Sequence, residues 1–188
     1  MLFPWVIIGI GLARPTPISS FVIEVQMDRI EQIGGEHLLD LSGIRVRKYN
    51  RTMSVINGTY SIVRDLDESL AFTVTVARSA LGNNQFNEYP MKIPRKDGCR
   101  IFLEDYTEYQ HVWANTTNLP QVDKEAPPAL CALPKGDYWV KDFAPDASWV
   151  PPVVPEGFWR MTWHMYSVVT DELEGQVRLF IRVKKDII

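Results

Sequence analysis

Only two cysteines and three histidines occur among the 188 residues, and neither type falls in a CxxC pair or a Cys/His group spaced for a metal. The serines lack the GxSxG surroundings of a nucleophile elbow, and the acids of Asp65, Asp67 and Glu68 match no calcium-loop spacing. With no nucleophile, base or metal role to fill, no enzyme activity and no cofactor are expected. Basic excess is also missing. A net charge of -3 gives no clustered cationic footprint for a phosphate backbone, so nucleic acid is not an expected partner. Neither internal repeats nor low-complexity tracts occur.

No apolar run is long enough to span a bilayer as a helix, which takes about 20 residues. The longest, Leu2 to Leu12, is followed by small and turn-forming residues, so residues 1–20 read as a signal peptide and 21–188 as a single domain. Three glycan acceptor triplets agree with secretion, placing candidate sites at Asn50, Asn57 and Asn115. Cys99 and Cys131 allow one intramolecular pairing; an oxidising compartment predicts a disulfide, the alternative being two buried thiols.

What is abundant is alternation. Leu70, Phe72, Val74 and Val76 fall on one side of a segment whose other side carries Ala71, Thr73 and Thr75. Trp159, Met161, Trp163 and Met165 alternate with Arg160, Thr162, His164 and Tyr166, and Val177, Leu179, Ile181 and Val183 alternate with Arg178, Phe180, Arg182 and Lys184. Those last two stretches, separated by a Gly-containing acidic segment from Thr170 to Gln176, predict an antiparallel hairpin. Phe21 to Met27, Ile44 to Asn50, Met53 to Arg64 and Asp137 to Phe143 are further strands by composition. From Asp97 to Val112, Cys99, Phe102, Leu103, Tyr106 and Tyr109 recur at spacings of three and four, which predicts one helix with those residues on one face. Proline-rich stretches from Asn118 to Pro134 and Ala144 to Pro155 read as loops. The set describes a mainly β, immunoglobulin-like two-sheet sandwich with one short helix, a closed barrel being the competitor.

Each candidate site has an ordinary structural explanation beside the functional one. The Trp159/Met161/Trp163/Met165 stripe fills a core in the ordinary case; joined by Leu70, Phe72, Val74, Val76, Phe102, Val177, Leu179 and Ile181, it supplies enough apolar surface to wall a ligand cavity. His164 shares the presumed outer face with Arg160, in a solvated or ligand-gating role. Arg45, Arg47, Lys48 and Arg51 read as the solvated side of a strand before they read as a head-group site. The acids from Asp65 to Glu68 read as a turn.

Several ordered segments carry a resemblance. Arg47-Lys48-Tyr49-Asn50-Arg51-Thr52, Val55-Ile56-Asn57-Gly58, Gly82-Asn83-Asn84-Gln85-Phe86, Gly98-Cys99-Arg100-Ile101-Phe102, Cys131-Ala132-Leu133-Pro134-Lys135-Gly136-Asp137-Tyr138 and Pro155-Glu156-Gly157-Phe158-Trp159-Arg160 resemble segments of a family of secreted insect proteins of unknown function. That family is similar to the CheB chemosensory proteins and more distantly to the ML lipid-recognition domains. The resemblance implies an ML-like sandwich that opens around acyl chains, and a Cys99–Cys131 bridge joining the helix to the strand near Gly136. Expected from it is an extracellular monomer that binds a lipid, hydrocarbon or sterol, with a membrane receptor as a second partner. An interaction module or receptor accessory protein without a small ligand is the other expectation.

Overall fold

A computed structural model describes residues 21–123, 131–151 and 153–187; the signal-peptide reading of residues 1–20 lies outside them. Among the described residues nine strands occur in chain order: β1 (Phe21–Gly34), β2 (Leu39–Asp40), β3 (Ile44–Lys48), β4 (Ser54–Ile62), β5 (Leu70–Ser79), β6 (Asn87–Asp97), β7 (Gly136–Phe143), β8 (Gly157–Ser167) and β9 (Leu173–Ile187). They form two antiparallel sheets. The larger runs β1-β9-β8-β5-β6; in the smaller, β4 is central, with β2 and β3 end to end on one edge and β7 on the other. The chain is a mainly β two-sheet sandwich, as the period-two patterning requires.

The register bears out the alternation. Val74 stands opposite Trp163 and Trp163 opposite Val177; Val76, Met161 and Leu179 form the next row, and Phe72 and Met165 another. Residues opposed across a ladder point to the same side, so the three apolar stripes merge into one face. That face looks toward the smaller sheet, because Leu179 and Ile181 pack with Met27 of β1 and with Ile44 and Ile56 of β3 and β4.

Two elements depart from expectation for local reasons. β1 continues past Met27 to Gly34, with a bulge at Asp28. The extra residue resets parity, so Met27 faces inward opposite Ile181 while Arg29 faces outward opposite Phe180, and the two-residue rhythm is lost. β6 carries no simple alternation either. Its register against β5 slips between Phe72 and Val74 and between Thr75 and Val76, which absorbs Pro94 and Pro90 in bulges on an edge strand.

The helical segment spans the expected range, but its centre is wide: Gly98–Arg100 is α, Ile101–Tyr106 is π, Thr107–Tyr109 is α again and Gln110–Val112 is 3-10. A π turn advances the inward face by five residues instead of four. Phe102 and Thr107 are therefore buried, and Tyr109, expected on the inner face, is 50% exposed. Asp97 caps the start by accepting from the Arg100 amide. Cys99 and Cys131 are joined by a disulfide, which ties the first turn of this helix to the segment leading into β7.

Candidate functional site

The inner face of the larger sheet is built from β5, β8 and β9, whose β-branched and aromatic residues suit a pleated surface buried on one side. Along it the apolar side chains differ in how completely they are covered. At one end Leu70 and Met165 pack around Leu38, with Phe72 and Val177 at their margin. At the other, Val76 and Trp159 pack with Val154 and Val183, and Met161, Ile181 and Tyr89 border them. Trp159 is fixed there by an edge-on contact with Tyr89 at 4.8 Å and by donating its indole N–H to the Pro155 carbonyl at 3.2 Å.

Between those ends lies Trp163, in the row with Val74 and Val177, and it belongs to neither group. Leu70, Val74, Val76, Trp159 and Met165 are buried, whereas Phe72, Met161, Trp163, Val177, Leu179 and Ile181 remain only part-buried although strands flank them on both sides. Side chains at the middle of a filled sandwich lose nearly all their exposure. These six side chains therefore differ from the fully covered ones at the two ends of the face.

Phe102 is placed elsewhere. It lies tilted against Tyr106 at 5.1 Å, Tyr106 meets Trp113 edge-on at 5.4 Å, and Tyr60 stacks on Tyr138 at 5.6 Å. Burial pushes the Tyr106 hydroxyl up to about 12 and raises Tyr60 as well. The phenol of Tyr106 donates to the Pro120 carbonyl and that of Tyr138 to the Pro134 carbonyl, so this aromatic group anchors the proline-rich loop to the helix and β7. Phe102 thus serves the helix, and is not part of the strand face.

Two depressions of about 290 and 330 Å³ open near the β2–β3 turn. Ile30, Gln32, Glu36 and Arg45 border the first, and Thr59, Tyr60, Ser61 and Asp137 the second. Their lining mixes polar and apolar side chains, and none of the twelve apolar residues that the sequence points to takes part.

The glycan candidates differ in setting. Asn50 and Asn115 are exposed. Asn50 uses only its carbonyl oxygen, accepting from the Thr52 amide and hydroxyl and from the Met53 amide. Asn57 is part-buried opposite a bulge in β7, and both ends of its amide are bonded to Asp142. The cationic strand residues behave as a solvated face: Arg47 pairs with Asp142 at 3.0 Å, and Arg45 donates to the Ser42 and Ile44 carbonyls. The acidic segment is a turn, in which Asp67 accepts from the Ser69 amide and Asp65 from the Lys135 amide.

The opposite, outer face of the larger sheet was visible in the sequence only as the polar half of each alternation. It holds a run of arginines against aromatic rings: Arg29 lies 3.7 Å from the Phe180 ring centre, Arg182 4.3 Å from Phe158 and Arg160 4.7 Å from Phe86. His164 sits among them with both ring nitrogens engaged, 3.1 Å from the Thr75 hydroxyl and 3.1 Å from the Gln176 amide nitrogen. Among the described residues no group of three or more His, Cys, Asp or Glu is arranged for a metal, and no helix is long and apolar enough to cross a membrane.

No curated protein matches the chain. From within β5 to within β8, residues 72–161 match the model of a family described as protein of unknown function (DUF1091).

Proposed function

We propose that this protein binds an apolar or amphipathic small molecule, such as a fatty acid, hydrocarbon or sterol, between its two sheets, and that it acts outside the cell as a monomer without chemistry of its own. The reading rests on one observation: Phe72, Met161, Trp163, Val177, Leu179 and Ile181 keep part of their surface open at the centre of a sandwich. Met is the most adaptable apolar side chain, and Trp supplies a large rigid wall, so Met161 and Trp163 side by side suit a ligand of variable shape. The disulfide fits an oxidising compartment. Resemblance to CheB chemosensory proteins and ML domains points the same way, with delivery to a membrane receptor as the accompanying role.

The test uses the full chain secreted from eukaryotic cells, with mass spectrometry of what co-purifies and titration of delipidated protein with a fluorescent fatty acid. Saturable binding near micromolar, competed by unlabelled lipid and quenching tryptophan emission, is the expected result. Failure to bind any member of a fatty-acid, hydrocarbon and sterol panel overturns it.

A second reading, an interaction module without a small ligand, is favoured by the β8–β9 hairpin tip. Val168, Val169 and Leu173 are exposed there, Val169 at 89%. Three apolar side chains at one tip are a docking feature of modest area. In that case Val169→Asp abolishes capture by a partner while lipid binding stays undetectable.

A further inference from the structure

The outer face of the larger sheet sorts its arginines into two kinds. Arg29 is neutralised by Asp28 at 2.8 Å and Glu31 at 2.7 Å, and Arg182 by Asp28 at 3.1 Å. Arg160 on β8 and Arg178 on β9 have no ion pair among the described residues. Arg178 stands opposite Glu31 in the β1–β9 ladder, but that carboxylate is held by Arg29. Both Arg160 and Arg178 are part-buried, and the Nε–H of each is buried without an acceptor. A buried cationic donor left unpaired carries a desolvation cost that a charged acceptor would offset.

The two residues are diagonal neighbours. Arg160 is opposite Phe180 and Arg178 opposite Thr162, so each lies one row from the other on adjacent strands. The positions beneath and beside them on β5 and β8 are small: Thr75 and Thr162 form the Arg178 row and Ala77 the Arg160 row. Larger side chains stand around these: Phe86 under Arg160, Phe180 in its row, and His164 in the next row beyond Thr162.

The polar neighbours are already committed. The Arg178 guanidinium donates to the Gln176 side-chain oxygen at 3.1 Å, which turns the Gln176 amide nitrogen toward His164 Nδ1. His164 therefore carries its proton on Nε2, toward the Thr75 hydroxyl, and is neutral. Neither Gln176 nor His164 brings negative charge to the arginines, and the carboxylates that influence Arg160 from a distance, Glu31 and Glu88, make no bond to it.

We propose that Arg160 and Arg178 form an oxyanion-binding site on the outer face of the larger sheet, taking one carboxylate or phosphate group between their guanidinium groups. Guanidinium forks match both groups in geometry. The site lies on the opposite side of the sheet from the apolar stripe, so its ligand is a different molecule, and the proposal stands or falls independently of lipid binding.

The full-length secreted protein, labelled with nitrogen-15, is titrated at constant ionic strength with sodium phosphate and, separately, with sodium acetate while the arginine Nε–H resonances are followed. Saturable shifts at Arg160 and Arg178, absent at exposed Arg100, are expected with at least one anion. Phosphate alone identifies a tetrahedral ligand, and acetate alone a carboxylate. Binding should also raise the His164 pKa, since the anion cancels the two charges that lie beside it. Double substitution R160Q/R178Q weakens binding by about tenfold or more. Glu88→Gln, which removes a competing negative charge and leaves both arginines in place, tightens it and serves if the double variant does not fold. Shifts that never saturate, that are equal at Arg100, or that are unchanged in the variants overturn the site.

Discussion

Asn57 and Asp142 are locked together by two hydrogen bonds: the Asn57 amide nitrogen donates to the Asp142 carboxylate at 2.9 Å, and the Asp142 backbone N–H donates to the Asn57 carbonyl at 3.1 Å. Asp142 holds a left-handed φ of 51°, and Arg47 adds an ion pair at 3.0 Å to the same carboxylate. The pair closes the bulge at which β4 and β7 shift register. A sugar on the Asn57 nitrogen would crowd this contact. If the chain passes through the secretory route as proposed, glycopeptide mapping of protein from eukaryotic cells should find modification at Asn50 and Asn115 and an unmodified Asn57, and Asn57→Ala should cost about 1–2 kcal/mol in chemical denaturation.

The disulfide should matter more than any single surface contact. Cys99 and Cys131 are 32 residues apart, and closing a loop of that length stabilises a fold by about 4 kcal/mol on the chain-entropy view. Replacing both cysteines with serine should lower the denaturation midpoint accordingly, and limited proteolysis should then cleave first between the helix and β7.

Gly98 begins the helix against the turn after β4. A Cβ at this position would lie 2.1 Å from the Asp67 carbonyl oxygen and 2.7 Å from its carbon, both backbone atoms that cannot swing aside. Gly98→Ala is expected to destabilise by about 3 kcal/mol, and thermal melting of the variant against the parent protein checks it.

Stability should respond to acid in two separate windows. Burial, followed by the charges of Arg178 and Arg160, pushes the His164 imidazole below its ordinary value of 6.5. The unfolded chain then takes up a proton before the native state does, so stability is constant above the unfolded pKa and falls as pH drops from there toward the lower folded pKa. Asp67 behaves differently. Bonds from Ser69 hold its carboxylate below 3.8, so its contribution is full above that value and is lost only at lower pH. Denaturation from pH 7.5 to pH 5 should show a decline that His164→Gln flattens, and a second decline at stronger acidity that this variant leaves in place.

How far the sequence spoke for the fold depended on whether each strand kept its parity. β5, β8 and β9 alternate without interruption through Leu70 to Val76, Trp159 to Met165 and Val177 to Val183, and the stripe read from them is the face that the register assembles. β1 broke the rhythm at Asp28, where one unpaired residue turns Arg29 outward after Met27 has faced inward. β6 was hidden by Pro90 and Pro94, which argue against a strand unless bulges on an edge absorb them. The helix was legible in extent but not in phase, because no residue type announces a π turn. The Arg160 and Arg178 pair could be seen as the polar side of two strands; that both lack carboxylates depends on Arg29 having taken Glu31, a long-range fact.

The two tryptophans of β8 separate folding from binding. Trp159 is 2% exposed, packs edge-on to Tyr89 and donates to Pro155, so Trp159→Ala should cost about 3–5 kcal/mol. Trp163 is part-buried, between the packed ends of the face, and its removal deletes fewer contacts. If a ligand lies against the centre of the sheet, Trp163→Ala should cost under about half as much stability as Trp159→Ala yet weaken fatty-acid binding by about tenfold, since a lost aromatic wall is felt by the ligand first. Calorimetric melting and a fluorescent-lipid titration on both variants read the two quantities separately. A Trp163→Ala variant that melts as early as Trp159→Ala would mean that Trp163 is core, and the space between the sheets would then be filled by the protein itself.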